Sequence, residues 1–491
     1  MKDRRVLAFD FGASSGRAVL ARYDGETISL EEIHRFSNDP VSVRGTLYWD
    51  VLRLYHEIKQ GIGKAVQRGG FDAVGIDTWG VDFGLLDRNG NLMENPVHYR
   101  DLRTQGVPEE LYRVIPAQSL YNRTGIQLMR INTIFQLYAL KTRRPELLAQ
   151  AACLLLIPDL FAFWLTGERR AEYTIASTTQ LLDPVRGAWS AELIRALGLP
   201  EGLFPPLIDA GERYGTLSPA LCGELGCKPV PVIAAATHDT ASAVVSVPST
   251  AGEFAYISCG TWSLFGTETA APVISPLSRR YNFTNEGGFA RSNRLLKNIM
   301  GLWLIQESRR QYAREGEEVS YADLEREALA SAPFLCFIDP DDPAFETPGD
   351  LPARIRDYCA RTGQPAPRTR GAVMRCIYES LALKYRFTLA RLCEITGKMF
   401  DALHIVGGGT KDGLLCRMAA DACGVRVLAG PAEATAMGNA AVQLLALGEF
   451  PDLGAARRAV AQSVQPMEYQ PQNPAAWEEP YRRFLAVTGL E

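Results

Sequence analysis

A short apolar strand that runs into a turn of acid, glycine and hydroxyl residues opens the chain, and a similar one opens its second half. Val6-Leu7-Ala8-Phe9 leads into Asp10-Phe11-Gly12-Ala13-Ser14-Ser15-Gly16-Arg17, and Phe254-Ala255-Tyr256-Ile257 into Ser258-Cys259-Gly260-Thr261-Trp262-Ser263. Such a turn presents backbone N–H groups to whatever lies beyond the strand, a geometry suited to anionic oxygens. One copy reads as an ordinary hairpin. Two copies at domain spacing point to a duplicated fold that meets a polyphosphate from both halves, and so to a nucleotide-dependent phosphotransferase. With 491 residues the chain exceeds the size at which one core keeps growing. Two domains are expected, 1–245 and 246–491, joined at the small, Pro-bearing stretch Ser246–Gly252.

The order of elements predicts an α/β class. Strands at Val6–Phe9, Arg17–Tyr23 and Ile28–Phe36 are followed by a helix over Val51–Arg68 and a buried strand at Ala73–Thr78. Asp24-Gly25 signals the hairpin between the second and third strands. Such a meander followed by helix and strand predicts a mixed sheet with an antiparallel edge. Residues 100–228 read as a helix-rich insertion, and Pro229–Ala236 as a return to the sheet. The second half repeats the meander from Ala255, with helices expected around Gly301–Glu315 and Thr369–Thr396, a strand at Ala402–Val406 and a helix over Gly413–Cys423.

A net charge of −4 gives no electrostatic reason to bind nucleic acid or an anionic membrane. The apolar stretches Ala151–Leu165 and Pro229–Val247 are interrupted by Pro158-Asp159 and His238-Asp239, so neither is expected to span a bilayer. The N-terminal residues do not resemble a signal peptide. Ten scattered cysteines without a C-x-x-C read as the free thiols of a cytoplasmic enzyme.

Five groups of residues carry candidate chemistry. Asp10, where strand becomes turn, suits a water-coordinated Mg²⁺, with Ala13, Ser14, Ser15, Gly16 and Arg17 facing phosphate oxygens; an Asp-capped hairpin accounts for the same residues. No Walker A or G-x-G-x-x-G pattern occurs. Gly407-Gly408-Gly409, between strand and helix, lets the backbone approach a flat or phosphorylated ligand. Thr237-His238-Asp239-Thr240 ends an apolar strand; there a partly desolvated Asp239 gains basicity, while an N-cap role remains the alternative. Trp79-Gly80-Val81-Asp82 and Tyr99-Arg100-Asp101 offer rings and polar forks to a polyhydroxylated ligand. Lys297–Gln306 reads as the start of an amphipathic helix whose Asn298 and Gln306 need partners.

Together these segments resemble the FGGY carbohydrate kinases. The similarity is carried by Ala8–Arg17, Gly75–Phe83, Thr237–Ala243, Ser258–Leu264, Thr284–Gly288, Leu296–Gln306, His404–Gly409 and Ala420–Gly424, in collinear order. Lys411-Asp412, after the triple glycine, departs from the family's pattern. The resemblance implies two ribonuclease-H-like, actin-like domains with a catalytic cleft between them. It also implies that Asp239 is the general base, that Gly80, His238, Thr240 and Asn298 line a ketose, and that Asp10 organises Mg²⁺. Ala13 to Arg17 and Thr261 would contact the ATP phosphates, with Gln306 and Gly408 on the nucleotide. The branch most similar to this chain implies phosphorylation of L-rhamnulose at its 1-hydroxyl. Rival readings are a kinase of this family for L-fuculose, xylulose or glycerol, and an actin-like ATPase switch without a sugar.

Overall fold

A computed structural model describes residues 3–249 and 253–490. The chain forms two compact units: Met1–Gly252 with Glu268–Leu295 and Glu433–Gln465, and Glu253–Thr267 with Leu296–Ala432 and Pro466–Glu491. Two segments numbered beyond the expected boundary thus cluster with unit 1. Of the expected linker Ser246–Gly252, the stretch Thr250–Gly252 lies outside the described residues.

Unit 1 is built on a six-stranded sheet in the order Arg213–Thr216, Pro231–Ile233, Ala73–Thr78, Arg4–Phe11, Ser15–Tyr23, Ile28–Ser37. The last three form the antiparallel meander, while Ala73–Thr78 runs parallel to Arg4–Phe11 and Pro231–Ile233 parallel to Ala73–Thr78. All six residues of Ala73–Thr78 are buried, as expected for a parallel strand covered on both faces. The helix Val51–Gln67 turns Val51, Leu54, Ile58, Ile62 and Ala65 inward, the spacing of one helical face, and Asp50 caps its start by accepting from Arg53 N. Gly61 on that face lets the Phe9 ring lie 2.5 Å from where a Cβ would stand.

The sheet that carries unit 2 repeats this plan with one strand more: Thr284–Gly287, Asn293–Met300, Trp262–Thr269, Ala255–Cys259, Ala402–Val406, Arg426–Ala429, Met467–Tyr469. Again the first hairpin is antiparallel, the next two neighbours are parallel, and an antiparallel strand closes the edge. The domain-scale duplication expected from the two turns is present in the strand order.

Two local expectations change. Only Pro231–Ile233 of Pro229–Ala236 forms a strand, because the chain leaves the ladder at Ala236, whose φ is +46°. Lys297–Met300 is strand, not helix; the helix starts at Trp303. Most of that strand is buried, and an apolar run buried on both faces has no period that separates strand from helix. Its end is set by Gly301, where a Cβ would stand 2.7 Å from the Trp262 carbonyl carbon. The 100–228 insertion builds its own core from Val107, Leu111, Leu120, Ile134 and Phe135 against Phe83, Leu154 and Leu156.

The returning helix Ala434–Ala446 covers the unit 1 sheet, with Met437, Ala440, Ala441 and Leu444 in one cluster with Val6, Ala73 and Ile233. It crosses the helix Asp239–Val245 so closely that a Cβ on Gly438 would stand 1.7 Å from the Ser242 carbonyl oxygen. Gly438→Ala is expected to destabilise unit 1 by about 1–3 kcal/mol or more, the range for overpacking against an unyielding backbone. Thermal unfolding checks this, and an unchanged midpoint contradicts the close packing.

Candidate active site

Three carboxylates gather at the ends of neighbouring strands of unit 1. Asp10 and Asp77 are register partners in the parallel pair Arg4–Phe11 and Ala73–Thr78. Asp239 follows the next strand and opens the helix Asp239–Val245. Asp10 is 5% exposed, and its Oδ2 accepts from Arg17 Nε at 2.9 Å. Arg17 is held from its other side by Glu433. Asp77 is fully buried; its Oδ2 accepts from Asn439 Nδ2 at 2.6 Å, and its Oδ1 has no partner. Gln443 braces Asn439, donating to its Oδ1 at 2.7 Å and to Leu7 O at 3.0 Å.

Burial pushes all three carboxyls above the usual carboxylate range, and each feels at least one of the others as a like charge or a shared field. Asp77 is raised furthest, by burial and then by the Asp10 charge. At Asp10 the Arg17 guanidinium opposes burial. Asp239 has the open approach, with 30% of its side chain accessible. Its Oδ1 accepts from Thr240 N at 2.6 Å and from Thr240 Oγ1 at 3.2 Å.

The imidazole of His238 lies beside this carboxylate, its Nε2 3.4 Å from Asp239 Oδ1. Arg294, a fully buried guanidinium, has its Nη2 3.0 Å from His238 Nδ1, and Glu286 Oε2 lies 3.3 Å from the same ring nitrogen. Glu286 Oε2 is 3.2 Å from Arg294 Nη2 and balances its charge. The backbone step Thr78–Trp79–Gly80 is brought against the same turn, since Thr78 N donates to Thr237 O at 2.9 Å and Thr78 bridges His238 in parallel. A Cβ on Gly80 would meet Thr178 at 3.1 Å. Val81, next to it, has φ +68°, a costly conformation for a β-branched residue. Thr178 Oγ1 accepts from Val81 N at 3.0 Å, and Thr133 donates to Val81 O at 2.6 Å, holding it there.

Asp82 and Asp101, expected to face a ligand, are taken up by protein donors. Asp82 Oδ2 accepts from Trp49 Nε1 at 2.6 Å, Trp79 Nε1 at 3.1 Å and Tyr99 N at 3.1 Å, and Oδ1 from Gln136 Nε2 at 3.0 Å. Burial still raises its pKa to about 6. Asp101 accepts from Leu47 N and Arg103 N at 2.9 and 2.8 Å. Both build the wall behind Gly80, where Trp49 and Trp79 stack at 4.0 Å, because an indole N–H in a core requires an acceptor.

The Ala13–Gly16 turn is closed by Gly12 N to Ser15 O at 3.0 Å and pinned by Asn38, whose Nδ2 donates to Gly12 O at 2.8 Å. Ser14 is exposed at its tip. In unit 2, Thr261 occupies the matching turn, and its carbonyl accepts from Gly301 N and Trp303 N at 3.1 and 3.2 Å. That ties the turn to the start of the helix Trp303–Arg314, which carries Gln306; Asn298 stands on the preceding strand. The three glycines divide their roles. Gly407 takes φ +86°, and Gly409 packs where a Cβ would stand 2.2 Å from Cys259 Sγ. Only Gly408 faces open space, with nothing within 4 Å of a built Cβ. The departing Asp412 caps the next helix, accepting from Leu415 N at 3.0 Å and from Tyr378 OH at 2.8 Å.

Sequence reasoning missed Asp77, Glu172, Glu286, Arg294, Glu433 and Asn439. They come from segments far apart in sequence, and no local pattern marks them as a group. It also missed the convergence of Cys336, Cys359 and Cys376, whose sulfurs lie within 4.8 Å of one another, fully buried and free.

Solved structures similar to this one include sugar and polyol kinases. The ligand-bound xylulose kinase of Lactobacillus acidophilus superposes with a TM-score of 0.81 at 17% identity, over 99% of this chain and 97% of that one. The Plasmodium falciparum glycerol kinase with ADP gives 0.79 at 15%, over 99% of both. These define the fold. The FGGY family of carbohydrate kinases matches by its N-terminal domain at residues 5–246 and by its C-terminal domain at 255–447, and the chain belongs to that family. Rhamnulokinases of Bacteroides thetaiotaomicron and Enterococcus faecalis are 43% and 42% identical, covering 98% and 100% of this chain and 99% of each relative.

The split among the glycines predicts a split in variants. Gly408→Ala leaves thermal stability unchanged, whereas Gly409→Ala lowers it by about 1–3 kcal/mol because Cys259 Sγ and Cβ, buried on the strand Ala255–Cys259, stand in the way. Equal unfolding midpoints for the two variants would contradict the assignment.

Proposed function

We propose that this chain transfers the γ-phosphoryl group of ATP to the 1-hydroxyl of L-rhamnulose, giving L-rhamnulose 1-phosphate and ADP, as in the cytoplasmic catabolism of L-rhamnose. The observation that carries the reading is the 40–43% identity to rhamnulokinases along nearly the whole chain. The unit 1 site supports it. Asp239 is an accessible carboxylate of raised basicity, with the His238 Nε2 3.4 Å from its Oδ1. It accepts the proton of the 1-hydroxyl as that oxygen attacks the γ-phosphorus, and ADP departs in line. His238, Thr240 and Gly80 flank the same turn and take the ketose, and Asn298 and the wall of Trp79 are assigned to it as well.

Ala13, Ser14, Ser15, Gly16, Arg17 and Thr261 are assigned to the ATP phosphates, with Gln306 and Gly408 on the nucleotide. Arg17 already spans Asp10 and Glu433, so contact with phosphate requires it to exchange one of those partners. A magnesium ion arriving with ATP fits the donor set: hard carboxylate oxygens, one of them the unpartnered Oδ1 of Asp77. Asp10 would hold it through water. When bound, the ion neutralises phosphate charge during transfer.

ADP release measured with L-rhamnulose, L-fuculose, D- and L-xylulose and glycerol tests the substrate: strong dependence on L-rhamnulose is expected, and turnover confined to another acceptor overturns the choice of sugar. Asp239→Asn is expected to lower kcat about 10²–10⁴-fold, with Michaelis constants nearly unchanged. Wild-type turnover in that variant would remove the base assignment. The base must be ionised to work, so kcat/KM falls as pH drops through the Asp239 pKa. Burial places that acid limb above the ordinary value of about 4; a limb at or below it contradicts the desolvated base. Gly408→Val is expected to raise KM for ATP without loss of fold, and an unchanged value takes Gly408 out of the nucleotide site.

A further inference from the structure

Glu172 lies outside every segment assigned above, yet it is the most heavily bonded carboxylate near the proposed base. It is fully buried. Oε1 accepts from Thr174 N at 2.9 Å. Oε2 accepts from Thr174 Oγ1 at 2.5 Å, Ile175 N at 3.1 Å, Thr237 N at 3.1 Å and Thr237 Oγ1 at 2.8 Å. Thr174 Oγ1 in turn accepts from His238 N at 3.2 Å. The backbone N–H groups of two successive residues just before Asp239 are therefore held by this one acid and its neighbouring hydroxyl.

Capping the helix Tyr173–Ser177 accounts for the bonds to Thr174 N and Ile175 N. It does not account for the two to Thr237 or the one to His238. Those fall on a strained backbone, for Ala236 sits at φ +46°, where a Cβ makes the conformation costly. A conformation of this kind persists only when the surroundings over-determine it. Here Ser242 Oγ holds the carbonyls of Ala235 and Ala236 at 2.6 and 2.9 Å, Thr78 N holds Thr237 O at 2.9 Å, and Glu172 holds Thr237 N. Glu172 is itself fixed, because Asp159 Oδ1 accepts from Glu172 N at 2.9 Å and from Tyr214 OH at 2.5 Å.

We propose that Glu172 is a positioning residue for phosphoryl transfer: through Thr237 and Thr174 it locks the Ala236–His238 turn and thereby sets the orientation of Asp239. Resting on the kinase reading above, this adds to it a residue that touches neither sugar nor nucleotide. Without the lock the turn relaxes toward ordinary backbone angles, and the base swings off line together with His238, while the groups assigned to ATP stay in place. A displacement of about 1 Å in such a group costs about a hundredfold in rate.

The test uses the full-length enzyme with its best sugar. Glu172→Gln keeps the volume but turns one acceptor oxygen into a donor; Thr237→Val removes the Oγ1 bond to Glu172, and Thr174→Val removes both the acceptor of His238 N and the Oγ1 bond to Glu172. Expected are about tenfold to hundredfold losses in kcat with KM for ATP within about twofold. In the double variant Glu172→Gln/Thr237→Val the loss should be close to that of Glu172→Gln alone, because both act on one element. A purely structural role would instead lower thermal stability and leave kcat per folded molecule intact. Wild-type kcat in Thr237→Val and Thr174→Val, or losses that add in the double variant, overturns the proposal even if Glu172→Gln fails to fold. A wild-type protein without sugar-dependent turnover would remove the kinase reading and this role together, a result separable from an active enzyme whose variants are unaffected.

Discussion

Mutual repulsion among Asp10, Asp77 and Asp239 is the constraint around which unit 1 is arranged. Parallel pairing puts Asp10 opposite Asp77, and the strand beside them delivers Asp239, so desolvation and like charge act on the same small region. Such a cluster is tolerable only with close compensation. Arg17, itself paired with Glu433, supplies the positive charge, and the Asn439–Gln443 relay supplies donors. All three of Glu433, Asn439 and Gln443 come from the segment that returns to unit 1 near the end of the chain. The return of the helix Ala434–Ala446 is thus an electrostatic requirement of the site as well as a cover for the sheet.

The approach of that helix explains where small residues are needed. A Cβ on Gly75 would stand 2.6 Å from Asn439 Oδ1, and Gly438 meets the Ser242 carbonyl. Ser242 also ties down the carbonyls of Ala235 and Ala236. One chain of contacts therefore runs from the buried acids through the returning helix to the strained turn that carries the proposed base. Strain at Ala236 and Val81 lies on either side of the Thr78–Thr237 bond, where the two candidate sugar segments join. Backbone held out of its preferred wells at such a point is a sign of pre-organisation.

Much of this was legible in the sequence. The duplicated strand-to-turn motif foretold the repeated strand order, and Asp10, His238 and Asp239 were marked by charge at the ends of apolar strands. Other parts were not. Lys297–Met300 reads as helix because a buried strand carries no alternation, and only the contact of Gly301 with the Trp262 backbone ends it. Asp82 looked like a ligand group because nothing in its neighbourhood announces that Trp49, Trp79, Tyr99 and Gln136 all donate to it. The triple glycine looked uniform, yet backbone geometry claims Gly407, packing claims Gly409, and Gly408 alone is left open. Glu172 drew no attention, since its partners stand 65 residues away at Thr237.

The central claim is that the γ-phosphoryl group of ATP passes to a sugar hydroxyl and not to water. Phosphorus NMR of the reaction in ¹⁸O-labelled water, with and without L-rhamnulose, reads this directly. The account predicts a sugar 1-phosphate signal free of solvent oxygen, and little inorganic phosphate when the sugar is absent. Inorganic phosphate carrying ¹⁸O, formed at the same rate whether or not L-rhamnulose is present, would contradict it.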